Sequence, residues 1–335
     1  MSVPSLAALS AKSILTPHAT ELPDPGPTQV KIRIHHCGIC HSDIHLIDND
    51  WGMSRYPLVP GHEIIGTVIE TGSQVTRLKK GMVVGVGWQA GSCGTCEWCQ
   101  SGQEQLCQRS QPTCVGRPGG FAHETLADER FAIPIPDGLP QAEAAPLLCA
   151  GITVYSPLSR HVPKPASVGV VGIGGLGHLA VQFASVMGHK VTALSSSADK
   201  EPQARQLGAT AFIDTSASSA MKSAYNSLDY VLVTVSAPLD WTPYVNLLRP
   251  NGTLCFVGAT GGPISIPTGL LLGRQRSVTG SNLGSPGQIA GMLALSARHS
   301  ITAVSERMPL DRVNEALDRV RTNQARFRMV LDMPA

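Results

Sequence analysis

At 335 residues the chain is too long for one simple core and predicts two domains. Hydrophobic residues make up 42% and charged residues 15%, and the net charge is +2, a balance that argues against a nucleic-acid or membrane surface. No run reaches the roughly eighteen apolar residues of a membrane span, and the first fifteen residues, with Lys12 in their midst, make a poor secretory leader. Nine cysteines in such a chain point to metal ligands rather than disulfides, and to the cytoplasm.

Residues 1–28 are weakly patterned, with Pro23, Pro25 and Pro27 close together, and read as an edge segment or loop. From Gln29 to Ile133 short strand-like runs are punctuated by Gly and Pro, as in a compact β domain. Val30, Ile32 and Ile34 alternate through Gln29–His36, a strand that delivers Cys40 at its far end. Glu63–Glu70 is a second strand, with Gly61-His62 in the turn before it, and Met82–Val86 a third. Gln141–Leu148, Ala- and Leu-rich after Pro140, predicts a helix carrying Cys149 at its end.

From Ser167 the pattern changes. A strand at 168–171 runs into Gly172-Ile173-Gly174-Gly175-Leu176-Gly177 and then a helix to about Met187. Further strands are expected at 191–194, 211–213, 230–235, 253–257 and 278–280, six in all, the count of a doubly wound parallel sheet. Helices near 288–297 and 310–321 and a strand at 327–331 close the chain and return to the first domain. The expected division is residues 1–152, residues 153–283 and residues 284–335.

Three motifs carry chemistry. In Cys37-Gly-Ile-Cys40-His-Ser-Asp with Gly61-His62-Glu63, thiolate, imidazole and carboxylate form a donor set suited to Zn²⁺. A third protein ligand must come from elsewhere; Cys149 is the candidate, although spacing alone also allows a buried thiol at a helix end. Cys93, Cys96, Cys99 and Cys107 form C-x₂-C-x₂-C-x₇-C within a lobe at 91–108, read as a closed structural zinc site. The bacterial ferredoxin run sets its fourth cysteine closer and follows it with Pro, whereas Gln108 follows here, so an iron–sulfur cluster fits less well. No basic helix follows for a nucleic-acid finger. The third motif, Gly172-x-Gly174-x-x-Gly177, sits between strand and helix, where a dinucleotide pyrophosphate would lie on the helix N-terminus. At the end of the next strand an NAD site would place an acid, but the chain has Ser195-Ser196-Ser197 and then Lys200. Serines can donate to a 2′-phosphate and Lys200 can neutralise it, which favours NADP(H); the alternative is that these serines only cap the next helix.

The Cys37–Asp43 and Gly61–Glu63 motifs resemble the zinc-dependent medium-chain dehydrogenase/reductase superfamily, and within it the cinnamyl alcohol dehydrogenase branch with its microbial broad-range aldehyde reductases. The likeness runs from about residue 28 to 331. It implies an α/β fold, with a GroES-like β-rich catalytic domain beside a Rossmann domain, and a homodimer. It assigns Cys40, His62 and Cys149 to a catalytic zinc, with Glu63 as an adjacent carboxylate, and the four-cysteine lobe to a structural zinc, two Zn²⁺ per subunit. Asp43 is implied behind His62, fixing its tautomer. Ser42 and His45 are the acid–base candidates, since a proton must reach water from a site that excludes it; a surface role for His45 is the alternative. The likeness further implies His41 and Arg328 at the cofactor pyrophosphate, Thr153 near the nicotinamide, and Thr234, Val235 and Gly258 along the cofactor cleft. Trp51 and Trp88 are implied to line an apolar channel for medium aliphatic or aromatic aldehydes, with ordinary core packing as the alternative. The remaining cysteines, Cys37, Cys114 and Cys255, read as structural. The expected activity is NADP(H)-dependent aldehyde reduction and alcohol oxidation. An NAD-linked polyol dehydrogenase and a zinc- and nucleotide-binding protein without turnover are the two rivals.

Overall fold

A computed structural model describes residues 2–162, 164–258 and 262–334. Contacts divide the chain into two units, Met1–Ile152 with Gly284–Ala335, and Thr153–Leu283.

The first unit is built on a seven-stranded sheet. Its order is Ser305–Pro309, Arg328–Asp332, Gln29–Ile39, Glu63–Thr71, Val83–Val86 and Ala132–Pro134, with Glu124–Asp128 also paired to Gln29–Ile39. Buried Val30, Ile32, Ile34, Ile39, Ile64, Val68, Val84 and Phe121 fill its core, and Cys37 and Cys114 lie among them as small apolar residues. The antiparallel register sets Gly38 opposite Glu63 and Cys37 opposite Ile64. One sheet end therefore carries Cys40, just past the first strand, and His62, just before the second. Gly38 has a specific reason: a Cβ there would lie 2.0 Å from Glu63 Oε2, so only glycine lets that carboxylate cross its partner strand.

Two local expectations are corrected, and one element is added. Residues 2–21 form an antiparallel hairpin, Ser2–Ala7 with Thr16–Glu21, rather than an irregular edge. Val3, Ser5 and Ala7 are its buried side, an alternation that small and polar residues disguise. Gln141–Leu148 is α-helical only to Ala144 and tightens to a 3₁₀ turn over Ala145–Leu148. Pro146 supplies the reason, since its ring removes an N–H and crowds the preceding turn. Residues His41–Asp48 form a helix that the sequence pattern does not announce.

The second unit is a fully parallel sheet ordered Ala211–Asp214, Lys190–Ser195, Ser167–Val171, Leu228–Val233, Leu248–Phe256 and Ser277–Gly280. Strand order reverses on either side of Ser167–Val171, the topological switch at which such sheets bind ligands. Continuous apolar strands, with Val168, Val170, Val171, Val231, Leu232 and Val233 all buried, are what a sheet covered on both faces requires. Trp241 is core here, packing edge-on to Phe256 at 4.8 Å between ring centroids. Among the described residues no helix is long and apolar enough to cross a membrane.

Candidate active site

At the sheet end of the first unit, Cys40, His62, Glu63 and Cys149 come together, all buried, with one donor atom from each within 4.8 Å of the others. Cys149 Sγ lies 3.2 Å from His62 Nε2 and 4.0 Å from Cys40 Sγ. Two thiolates on one tetrahedral zinc would stand roughly 3.8 Å apart, so the donor set fits that ion. Glu63 Oε2, against Gly38, is buried without a hydrogen-bond partner among the described residues, a spare acceptor beside this group. Cys149 reaches the site because Gly85 and Gly87 leave room for the Leu148 turn against the Val83–Val86 strand; a Cβ on Gly87 would meet the Leu148 carbonyl at 2.7 Å.

Asp43 organises this group. It is fully buried, accepts hydrogen bonds from the Cys40 and Gly61 N–H groups at 2.9 Å each, and lies 2.9 Å from His62 Nδ1. Holding Nδ1 leaves Nε2 free as a ligand atom. The charges are balanced from behind by Arg328, whose guanidinium is buried against Glu63 Oε1. Arg328 thus sits with the carboxylate and the ligand set. Burial raises the Glu63 carboxyl to about 7 against the pull of Arg328. The Cys149 thiol draws Cys40 well below the usual thiol range, against the effect of burial, so Cys40 is the readier thiolate.

Around the donors, Trp88 stands edge-on to His62 with ring centroids 5.0 Å apart, and Trp51 stands edge-on to Trp88 at 5.9 Å. Trp51 also lies over His45 at 5.1 Å. Ser42 Oγ is 3.7 Å from Cys40 Sγ, in the first turn of the His41–Asp48 helix. His45 follows three residues later on the same helix, its Nδ1 2.8 Å from Asp50 Oδ2. Sequence reasoning missed Asp50; the only signal was an acid five residues beyond a candidate histidine. His41 is exposed, at the helix start.

The four-cysteine lobe is a separate group in the same unit. Cys93 and Cys96 lie 3.8 and 3.6 Å from Cys99, and all four thiols including Cys107 fall within one ligand set. Backbone N–H groups of Thr95 and Cys96 bring the Cys93 thiol down to about 5, favouring the thiolate a metal needs.

In the second unit Gly172 has φ of +87° and turns the chain out of its strand. A Cβ on Gly177 would lie 1.8 Å from the Gly172 carbonyl oxygen, so both glycines are required for the loop to close on the helix. Thr234 Oγ1 donates to the carbonyls of Val171 and Gly172, and Val235 lies against Gly172 and Gly258. A cavity of about 380 Å³ opens beside Gly258, Gly280 and Ser281. Thr153 is in the Ala150–His161 helix, 9% exposed. At the end of Lys190–Ser195, Ser195 Oγ accepts from the Ser197 N–H, Ser196 is exposed, and Ser197 makes no side-chain cap bond to the turn that follows. Asp214, beside Ser195 on the next strand, is engaged by Ser216.

Family models agree with this arrangement. The alcohol dehydrogenase GroES-like domain matches residues 26–137 and the zinc-binding dehydrogenase domain residues 175–298. An aldehyde reductase of Synechocystis sp. is 43% identical over 98% of both chains. A probable cinnamyl alcohol dehydrogenase of Medicago sativa is 41% identical over 98% of this chain and 94% of its own. The chain belongs to the zinc-dependent medium-chain dehydrogenase/reductase superfamily, in its cinnamyl alcohol dehydrogenase-like branch. Solved members of the branch share its fold. The Sorghum bicolor cinnamyl alcohol dehydrogenase superimposes with a TM-score of 0.95 at 39% identity, covering 99% of this chain and 98% of its own. A Helicobacter pylori member, solved with NADP(H), gives 0.91 at 33% identity over 99% of each chain. As a member of this family the chain is an oxidoreductase of the alcohol dehydrogenase and aldehyde reductase kind, using zinc and a nicotinamide cofactor.

Proposed function

We propose that this enzyme is an NADP(H)-dependent reductase of medium-sized aliphatic and aromatic aldehydes, also running the reverse oxidation of primary alcohols. The observation that carries the reading is the convergence of Cys40, His62, Cys149 and Glu63 beside the aromatic wall of Trp88 and Trp51. Cys40, His62 and Cys149 would hold the catalytic zinc, and Cys93, Cys96, Cys99 and Cys107 a second, structural one. When bound, zinc supplies a Lewis acid for a carbonyl oxygen and the nicotinamide supplies hydride.

The chain's own residues do the rest. Asp43 fixes the His62 tautomer, and Arg328 balances the carboxylate of Glu63. Trp88 and Trp51 exclude water and favour a flat or extended apolar substrate. Ser42 takes up or delivers the proton next to the donors, and His45, its Nδ1 held by Asp50, exchanges that proton with solvent. Gly172, Gly174 and Gly177, with the intervening Ile173, Gly175 and Leu176, bear the pyrophosphate. Ser195, Ser196, Ser197 and Lys200 receive the 2′-phosphate, which the missing acid at that strand end supports. That missing acid also counts against an NAD-linked polyol dehydrogenase. A homodimer in the cytoplasm completes the proposal.

The test is NADPH against NADH oxidation with cinnamaldehyde, benzaldehyde, octanal and acetaldehyde. NADPH preference with the three larger aldehydes is expected. Turnover with NADH alone would overturn the cofactor assignment. No turnover with either cofactor would favour a zinc- and nucleotide-binding role.

A further inference from the structure

The helix His41–Asp48 carries both proposed relay residues, and its far end is fixed with unusual thoroughness. Lys12 N–H and Tyr56 O–H donate to the Ile47 carbonyl at 3.0 and 2.9 Å, and Ser54 Oγ donates to the Leu46 carbonyl at 2.5 Å. Asn49 ends the helix in the left-handed region at φ 59°. To these is added a contact from 273 residues away. Arg321, the last residue of the amphipathic helix Val313–Arg321, grips Asp48 with both ends of its guanidinium, Nη1 to Oδ2 at 2.5 Å and Nη2 to Oδ1 at 2.7 Å. That helix is itself seated by Val313, Ala316, Leu317 and Val320 in the core, so the fork has a stiff mount.

Asp48 lies three residues after His45, and Asp50 two beyond Asp48. Asp50 closes on His45 twice, through Oδ2 to Nδ1 at 2.8 Å and through its N–H to the His45 carbonyl at 3.0 Å. The charged groups gathered about this helix are His41, His45 and Asp48 on the helix itself, Asp50 in the turn, Lys12 from the N-terminal loop, and Arg321 and Asp318 from the C-terminal helix. With Asp48 occupied by Arg321, Asp50 alone is aimed at the imidazole, and Nε2 is left as its proton-exchanging atom.

We propose that Arg321 is a positioning residue for the proton relay, acting through Asp48 and the last turn of the helix on His45. The proposal rests on the reading of His45 as the relay residue. Releasing Asp48 frees a second carboxylate near the imidazole and loosens the turn that holds it. Both effects slow proton transfer without touching substrate.

The experiment compares Arg321→Gln, Arg321→Lys, His45→Gln and the Arg321→Gln/His45→Gln double variant for kcat, KM, pH–rate profile, zinc content and Tm. Arg321→Gln is expected to lower kcat about tenfold with KM for aldehyde within about twofold. Its pH–rate profile should move to higher pH, because a cation is lost and a carboxylate freed, and Arg321→Lys should recover part of the rate. In the His45→Gln background Arg321→Gln should cost nothing further. A lower Tm with unchanged kcat and pH profile would overturn the proposal, as would a loss in the double variant equal to the product of the single losses. If His45→Gln itself turns over like the parent, the relay reading fails and the proposal falls with it. A normal His45→Gln loss beside a silent Arg321→Gln sinks the proposal alone.

Discussion

Trp88 meets the His62 imidazole edge-on, its ring plane turned 89° from that of the imidazole. An edge-to-face pair of this kind contributes about 1 kcal/mol beyond its buried area. One side chain thus walls the proposed substrate space and braces a proposed metal ligand. Trp88→Ala should raise KM for cinnamaldehyde and benzaldehyde about tenfold, with a smaller effect on acetaldehyde. Steady-state kinetics across the aldehyde panel measure this, and equal effects on all substrates would remove Trp88 from the pocket wall.

Asp43→Asn keeps shape but replaces an acceptor of three hydrogen bonds by a group that can accept with only one of its two atoms. The expected result is a 10–100-fold loss in affinity of the proposed catalytic zinc, about the usual cost of removing such a partner. Metal competition against a calibrated chelator reads it directly. Undiminished affinity would mean that the strand ends alone orient His62.

The four-cysteine lobe predicts a stability effect separate from chemistry. Cys96→Ser should remove the proposed structural zinc and lower the unfolding temperature, a cost on the order of several kcal/mol. Calorimetry with metal analysis checks both. A variant that loses the zinc yet melts with the parent would show that the lobe folds without it.

Ser196 is exposed at the end of its strand. Placing a carboxylate there by Ser196→Asp should repel a 2′-phosphate and shift kcat/KM toward NADH by about tenfold or more. An unchanged cofactor ratio would move the phosphate contact away from this turn.

Acid stability follows from Asp48. The hydrogen bonds from Arg321 hold its carboxyl below the usual range, outweighing its partial burial. A depressed pKa stabilises the fold above the unfolded-state value near 4 and loses that stabilisation as pH falls through the folded value. Both side chains retain some solvent exposure, so the contribution is under about 1 kcal/mol. Asp48→Asn should therefore melt lower at pH 7 and converge with the parent as the pH falls through the lowered carboxyl value. A gap that persists in acid would assign the effect to packing.

Where apolar residues alternate or run together, the elements are legible in the sequence. Val30, Ile32 and Ile34 marked one strand of the first sheet, and the valines of 168–171 marked the centre of the second. The metal-donor motifs were equally legible, because cysteines in tight spacing have few other uses. Elements are hidden where polar residues occupy inward positions. The helix His41–Asp48 buries Asp43, so its period looks broken, and the hairpin at 2–21 buries Ser5. Contacts are hidden also where a partner lies far along the chain: nothing near Asp48 announces Arg321, and nothing near Glu63 announces its ion pair with Arg328.

The first sheet is interrupted in sequence: Arg328–Asp332 pairs directly with Gln29–Ile39. On the ribosome, Cys40, His62 and Cys149 are all made long before that neighbour exists. Until it arrives, one flank of the Gln29–Ile39 strand from His36 to Ile39, next to the metal-donor end, has no ladder partner. A nascent chain would thus carry the complete set of soft donors beside an open strand edge, the state most exposed to mispairing and to the wrong metal. If these donors hold the proposed zinc, completion of its site waits on the synthesis of residues 328–332 rather than on that of the ligands themselves.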